Sequence, residues 1–509
     1  LEDSTTGQQN TAVGNEAIKN NTTGSYSTGV GSGALASNTA GAYNVAVGTG
    51  SLQFNTTANN NVAVGYQSLY TNTTGTRNNA LGYFTLNENV TGSDNTAMGY
   101  LAARFSTGGQ NTAIGSYGLY SNTTASANTA VGYHAAYSNT TGSPVTAMGY
   151  YTLDQNTTGV HNNAYGYRAM RFNTTGGYNT ALGGDALYSN TTASDNTAVG
   201  YQAADANTTG TRLVALGKSA LGANTTGNYN TAIGANSSLV LTTGSNNTSV
   251  GDSSLANTTT GASNTALGQG SLGSNTTASE NTAVGYQSLY TNTTAGSITA
   301  VGYQAGYSTT SGGGSSTYVG HQAGYSGTNS AFTTAIGQSA LYLNTSGDFN
   351  TALGSQALYS NTTASNNTAV GYQAGYSNTT GNLTAFGYRA LRSQSTGSGN
   401  VAVGSDTAYY MTTGSYNAAF GNAALQSNTS GNNNTAIGQE ALLYNTTANF
   451  NTAVGYQALY SNTTGVENCA LGANSLQLVT TGYENVGIGR GAGGSLTTGN
   501  RNTFVGDDA

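Results

Sequence analysis

The side chains that could carry chemistry are mostly asparagine, threonine and tyrosine, because acids, bases and nucleophiles are scarce. There are three histidines, His134, His161 and His321, and one cysteine, Cys469. Only 6% of the 509 residues are charged, against roughly 25% in ordinary soluble domains, and Asp and Glu look scattered along the chain. A catalytic nucleophile needs a positioned base and an orienting group, and zinc needs closely spaced Cys or His ligands. We therefore expect no enzyme, no cofactor and no metal.

Asparagine recurs in the pattern Asn-x-Ser/Thr, which accepts N-linked sugar in secreted proteins. The candidate acceptors are Asn21, Asn55, Asn72, Asn190, Asn361 and Asn462. Thr22 and Thr23, and the threonine pairs equivalent to them, could carry O-linked sugar. The same asparagine position also holds Leu241, Met411 and Val479, which indicates a sheltered site. A ladder of turn-forming asparagines is the favoured alternative to glycosylation.

These residues recur because the whole chain repeats one short unit. The unit is Asn451-Thr-Ala-Val-Gly-Tyr-Gln-Ala-Leu-Tyr-Ser-Asn-Thr-Thr-Gly-Val-Glu467, whose positions we number 1 to 17. Two copies are one residue shorter and one copy is one residue longer, and all three changes fall between positions 10 and 17. Position 5 is always glycine, as at Gly14, Gly31, Gly48, Gly65 and Gly455. We therefore predict a single array of about 30 units over residues 1–509, without caps.

A unit of this length is too short for a helical hairpin, and its constrained positions have the period of strands. We predict an all-β parallel solenoid with one coil per unit and a rise of about 4.8 Å per coil. Two short strands are expected, at positions 1–4 and 7–10, with a corner at the glycine and a closing Asn-Thr-Thr-Gly loop. Glycine suits a corner that requires positive φ or close backbone approach.

Positions 3 and 8 are almost always small, and positions 4 and 9 are mostly apolar. Because neighbouring strand residues point to opposite faces, this pattern indicates that both faces are covered. We expect coils to pack side by side with other chains, with a homotrimer favoured. The alternative is that the small residues only fit a narrow coil interior.

Asparagine also dominates position 1, where stacked amides can form a hydrogen-bonded ladder. The predicted ladder includes Asn10, Asn44, Asn61, Asn95 and Asn451. Tyrosine concentrates at positions 6 and 10, where rings would stack along the solenoid axis. A stiffening ladder is favoured for these tyrosines over a sugar-binding strip.

The segment Asn-Thr-Ala-Val-Gly-Tyr-Gln-Ala-Leu resembles the head repeats of trimeric autotransporter adhesins and of phage tail-fibre-like proteins. The resemblance implies left-handed parallel β-rolls, three chains side by side, on a cell or virion surface. The adhesin unit is shorter, however, so the Asn-Thr-Thr-Gly loop is an enlargement.

The repeat register would continue from Ala509, at position 8, to Leu1, at position 9, so we expect molecules to stack head to tail or to form part of a longer array. The expected function is a structural subunit of an extracellular fibre that associates with itself and carries or contacts glycans. The alternatives are an adhesin or tail-fibre shaft that binds surface glycans and an ice-binding solenoid. The 11 Lys and Arg residues form no basic stripe for nucleic acid, and no apolar run is long enough to span a membrane.

Overall fold

The computed structural model describes residues 3–312 and 314–509. They form an all-β parallel solenoid of about 30 coils, one for each copy of the repeat, as the sequence predicts. No helix occurs among these residues, and hence none with the length and apolar character to cross a membrane. Leu1, on which the predicted joining of the chain ends depends, lies outside the described residues. The chain divides into two compact units, one that ends at Ser253 and one that begins at Ser254.

Each coil contributes one short strand, at positions 2–4 and in a few coils 1–4. The strands of the first unit are β1 Thr11–Val13, β2 Thr28–Val30, β3 Val45–Val47, β4 Val62–Val64, β5 Asn79–Leu81, β6 Thr96–Met98, β7 Thr112–Ile114, β8 Thr129–Val131, β9 Val145–Met148, β10 Asn162–Tyr165, β11 Thr180–Leu182, β12 Thr197–Val199, β13 Val214–Leu216, β14 Thr231–Ile233 and β15 Thr248–Val250. The strands of the second unit are β16 Thr265–Leu267, β17 Thr282–Val284, β18 Thr299–Val301, β19 Thr317–Val319, β20 Thr334–Ile336, β21 Thr351–Leu353, β22 Thr368–Val370, β23 Leu383–Phe386, β24 Asn400–Val403, β25 Ala418–Phe420, β26 Thr435–Ile437, β27 Thr452–Val454, β28 Cys469–Leu471, β29 Val486–Ile488 and β30 Thr503–Val505.

Within each unit, every strand pairs in parallel with its copy in the next coil. Thr11 lies opposite Thr28, for example, and Thr435 lies opposite Thr452. The register survives the irregular copies: Thr96 pairs with Thr112 across a coil that is one residue short. The loop between positions 10 and 17 absorbs the missing residue, because no strand bond depends on its length.

Side chains at positions 3, 8 and 9 fill the interior of each unit. Ala46, Ser51 and Leu52, which hold these positions in one coil, are completely buried. Their equivalents form one continuous core in the first unit and another in the second. The narrow interior therefore accounts for the small residues at positions 3 and 8. It does not account for the apolar residues at position 4.

The second strand predicted at positions 7–10 is wrong. These residues form turns, in which positions 7 and 9 have left-handed backbone conformations, as at Gln67 and Leu69, both with φ of 50°. The turn places the position-9 side chain in the core without extended backbone. It is preceded by the corner glycine, which at Gly48 has φ of 133°; a Cβ there would lie 2.4 Å from the carbonyl oxygen of Gly65 in the next coil.

The strands leave positions 2 and 4 on the outer surface, an area that we call the strand face. Its residues are uncharged in every strand, with threonine or valine common at position 2 and Val, Leu, Ile, Met, Phe or Tyr at position 4. Many position-4 side chains are well exposed, including Leu81 at 44% and Met98 at 46%. The apolar side chains at position 4 thus face solvent in the single chain. The lateral packing of chains remains a prediction.

Candidate functional site

The asparagines at position 1 form a buried ladder between coils. The Asn44 side-chain Oδ1 accepts a hydrogen bond from the backbone N–H of Asn61 at 3.0 Å, and Asn44 Nδ2 donates to the carbonyl of Ala58 at 2.8 Å. Asn451 makes the equivalent donation to Gly465, and Asn10 and Asn95 do so in their own coils. Each amide therefore ties the start of one strand to the closing loop of its own coil and to the start of the strand in the next coil.

A second ladder is formed by the asparagines at position 12. Asn38 Nδ2 donates to Asn21 Oδ1 at 2.8 Å and to the carbonyl of Gly41 at 2.9 Å. Six members of this set, all completely buried, are the candidate acceptors of N-linked sugar: Asn21, Asn55, Asn72, Asn190, Asn361 and Asn462. Since the Nδ2 atom that would carry the sugar lies inside the coil and donates hydrogen bonds, this geometry favours the ladder over glycosylation.

The two threonines that follow the position-12 asparagine, at positions 13 and 14, differ in their surroundings. The Thr22 hydroxyl donates to the carbonyl of Thr39 in the next coil at 2.8 Å, and this bond repeats along both units. Thr23, at position 14, is exposed. Position 14 is therefore the more accessible of the two for an O-linked sugar.

Tyrosines at positions 6 and 10 stack on their copies in neighbouring coils. At position 10 the second unit has a run of six, whose successive ring centroids lie 5.1–5.5 Å apart: Tyr290, Tyr307, Tyr325, Tyr342, Tyr359 and Tyr376. The coil rise sets this spacing. Parallel stacked rings cover one another's faces, which favours a stiffening ladder over a strip of free aromatic platforms.

Charged and aromatic side chains gather in one part of the first unit, at positions 7 and 10 of neighbouring coils. We call this surface the 7/10 strip. Its members are Tyr117, Tyr120, His134, Tyr137, Tyr151, Asp154, Arg168, Arg171, Asp185, Tyr188 and Asp205. The expectation that acids are unclustered is wrong for this region, because the period of the repeat brings together residues that are far apart in sequence.

Asp154 lies at the centre of the strip, between a histidine and an arginine. Its Oδ1 is 3.3 Å from His134 Nδ1 and its Oδ2 is 3.7 Å from Arg171 Nε. The Asp154 side chain is only 10% exposed, and burial raises the pKa of its carboxyl despite the opposing effect of His134 and Arg171. The Arg171 Nε atom is itself buried and forms no hydrogen bond.

Arg168 and Asp185 form a second pair, one coil apart at position 7. Arg168 Nε and Nη2 lie 2.9 and 3.0 Å from the two oxygens of Asp185, and the guanidinium lies 4.7 Å from the ring centre of Tyr167. The second unit repeats this arrangement with Arg389, whose Nε is 2.7 Å from Asp406 Oδ1. Within each pair, the arginine and the aspartate neutralise each other's charge.

The 7/10 strip was not predicted from the sequence, although a signal for it exists. His134 and Asp154 are 20 residues apart, which is one coil plus the step from position 7 to position 10. Writing the sequence with one repeat in each row would have aligned the strip in two columns. Among the described residues, no group of three or more His, Cys, Asp or Glu could hold a metal ion.

Comparison with protein-family models and with curated proteins finds no match to this chain. Of what the resemblance to adhesin heads implies, only the parallel β-solenoid repeat fold is shown.

Proposed function

We propose that this chain is a structural subunit of an extracellular or surface fibre, which it forms by associating with copies of itself. The observation that carries the proposal is the uniformity of the coil. One set of backbone, asparagine and threonine hydrogen bonds repeats along each unit, so that each coil is a template for the next. Such an array can span distance and bear load, and this role requires no catalytic site.

The strand face is the surface proposed to meet the neighbouring chain. It is uncharged and apolar at position 4, whereas the 7/10 strip and position 17 carry charges such as Arg77 and Asp94. Fifteen coils at about 4.8 Å by a width of about 10 Å offer on the order of 700 Å² in each unit, near the ~800 Å² per partner of a standard interface. A second copy of the same chain presents the same uncharged face.

Electron microscopy of the purified full chain tests the fibre, and light scattering tests the lateral association. We expect rods or filaments with a repeat of about 4.8 Å along the axis, and a solution mass that is a multiple, with three favoured, of the 51.1 kDa chain mass. Monodisperse particles of a single chain would contradict the proposal.

Glycosylation belongs to the same proposal, restricted to exposed hydroxyls. Thr23 and its position-14 equivalents are accessible, whereas the position-12 asparagines are buried. Mass spectrometry of peptides from natural material should find sugar on threonine and none on Asn21 or Asn462. Sugar on those asparagines would mean that the coil loops differ from the buried arrangement.

Ice binding by the strand face is a second candidate, because threonine holds position 2 in most strands, half-buried or exposed, beside the apolar row. A single chain that depresses the freezing point without associating would favour this function over lateral packing.

A further inference from the structure

A shallow cavity of about 480 Å³ opens in the 7/10 strip beside His134 and Asp154. Its walls also include Tyr137, Ser138, Tyr151 and Gln155. The cavity exists because Asp154 takes position 10, where the preceding coils have the stacked rings of Tyr120 and Tyr137. A carboxylate is smaller than a phenol, so one ring is missing from the column.

We propose that this cavity binds a neutral sugar ring. The inference goes beyond the fibre role, which depends on the strand face and the coil interior and not on this cavity. Small-molecule sites commonly combine apolar or aromatic walls with a few fixed polar groups, in volumes of about 300–1,000 Å³. Here Tyr137 and Tyr151 supply apolar wall, and the polar groups are those of Asp154, Gln155 and three hydroxyl residues, Ser138, Thr157 and Thr174.

The polar groups suit a ligand that both donates and accepts hydrogen bonds. The Asp154 carboxylate accepts from sugar hydroxyls, and its position is fixed by His134 at 3.3 Å. Arg171 Nε, buried and without a hydrogen bond, lies behind the same carboxylate. A sugar hydroxyl can donate to the Asp154 carboxylate and accept from the side-chain amide of Gln155, both of which line the cavity, whereas an apolar ligand would leave the carboxylate unsatisfied.

The charge balance favours a neutral ligand over an anionic one. Asp154 and Arg171 compensate each other, and Arg168 is held by both oxygens of Asp185. No guanidinium of the strip is therefore left over to pair with a carboxylate or sulfate on the ligand.

The second unit contains a filled version of the same surface. Arg392 corresponds to Arg171 in repeat position, and Tyr376 takes the place of Asp154, so that the tyrosine column continues. There the arginine Nε donates to Gln373 Oε1 at 2.8 Å and is satisfied. The cavity thus follows from Asp154 in place of Tyr376, and the unpaired nitrogen follows from Tyr151 in place of Gln373.

Saturation-transfer NMR on the full chain tests the proposal, with the methyl glycosides of mannose, galactose and glucose as neutral probes and N-acetylneuraminic acid as the anionic probe. We expect at least one neutral glycoside to bind. Asp154→Tyr, which refills the column as in the second unit, and Asp154→Asn, which keeps the volume but removes the charge, should each weaken binding at least tenfold. Tyr151→Gln, which installs the residue of Gln373 at the same repeat position, should do likewise.

Gln373→Ala, in the second unit, is the matched control and should bind as the parent does. Circular dichroism and light scattering should show parental fold and association in every variant, which separates failure of this inference from failure of the fibre. The proposal is overturned if no neutral glycoside binds, if only the anionic probe binds, if the Asp154 variants bind as the parent does, or if Gln373→Ala weakens binding equally.

Discussion

At the scale of single residues, the fold depends on backbone conformations that most side chains avoid. The coils have a glycine near φ of 130° and left-handed backbone at positions 7, 9 and commonly 17, where most residues are not glycine. Left-handed backbone costs roughly 1–2 kcal/mol per ordinary residue. The hydrogen-bond ladders and the buried position-9 side chains offset this cost in every coil.

Replacement of a corner glycine should disrupt its coil. In Gly455→Ala the new Cβ would lie 2.5 Å from the backbone carbonyl of Gly472, at a φ of 139°. We expect a loss of about 3 kcal/mol of local stability, the upper end of the range for a strained backbone position, because the close contact adds to the strain. Hydrogen exchange of the amides of that coil and its neighbours measures the effect. Gly33→Gln, at position 7 where other coils have glutamine, is the control: its Cβ meets no backbone atom, so only the cost of left-handed backbone, about 1–2 kcal/mol, should appear.

The buried carboxyl of Asp154 should give the first unit an unusual response to pH. Because its pKa is raised in the folded chain, above the ordinary ~3.9 of the unfolded chain, the folded state binds the proton more tightly. The contribution of this carboxyl to the unfolding free energy is then most favourable at low pH, and it is lost as pH rises through the folded pKa. His134 and Arg171 face the same carboxyl and stay unchanged in the test.

Thermal unfolding of Asp154→Asn between pH 3 and 6 checks this sign. The variant should lose the gain in stability that the parent shows on acidification. Asp94→Asn should change the profile in the opposite sense, because the hydrogen bond from Arg77 lowers the pKa of Asp94, whose stabilisation is lost as pH falls. Equal profiles for parent and Asp154→Asn would contradict the argument.

At the scale of the element, the strand, its register and the corner followed from the sequence, whereas the turn at positions 7–10 did not. The pattern of small and apolar residues at positions 8 and 9 is the same for a strand that is covered on both faces and for a turn that places both side chains in the interior. A signal for the turn was available at position 7, which holds Gly33, Gly50 and Gly270. Glycine is tolerated there because the backbone has positive φ. The 7/10 strip was missed for a different reason: its contacts join residues of different coils, which are distant in sequence.

The side chains at positions 3 and 9 together fill the interior of a coil. A larger side chain at one position can therefore compensate for a smaller one at the other. Tyr318 takes position 3 in place of alanine and is completely buried, while both adjacent position-9 residues are Gly306 and Gly324 instead of leucine. A Cβ on Gly324 would lie 2.3 Å from the Tyr318 ring. The ring therefore fills the volume of the missing side chains.

A double-mutant cycle tests this compensation. Tyr318→Ala should cost about 3–5 kcal/mol through the cavity that it leaves, and Gly324→Leu alone should also destabilise because the leucine has no room. The two changes together should recover a large part of the loss, since they restore the alanine and leucine of other coils. Chemical denaturation of the full chain gives the three values, and strict additivity would show that the positions are independent.

At the scale of the whole molecule, the distribution of charge decides how association should respond to salt. The strand face carries no charged residue in any strand, and the net charge is only -7 over 509 residues. An apolar interface is strengthened by salts such as sulfate that are excluded from protein surfaces, whereas an interface held by ion pairs is weakened by screening.

Light scattering across sodium chloride and sodium sulfate series should therefore show association that persists in high chloride and increases in sulfate. Leu81→Asp, which places one charge on the strand face of the first unit, should reduce association, whereas Arg77→Gln at position 17 should not. Dissociation of the parent by chloride alone would assign the contact to the charged positions instead. In that case the apolar row at position 4 would need another explanation, and ice binding by the strand face would become the better account of it.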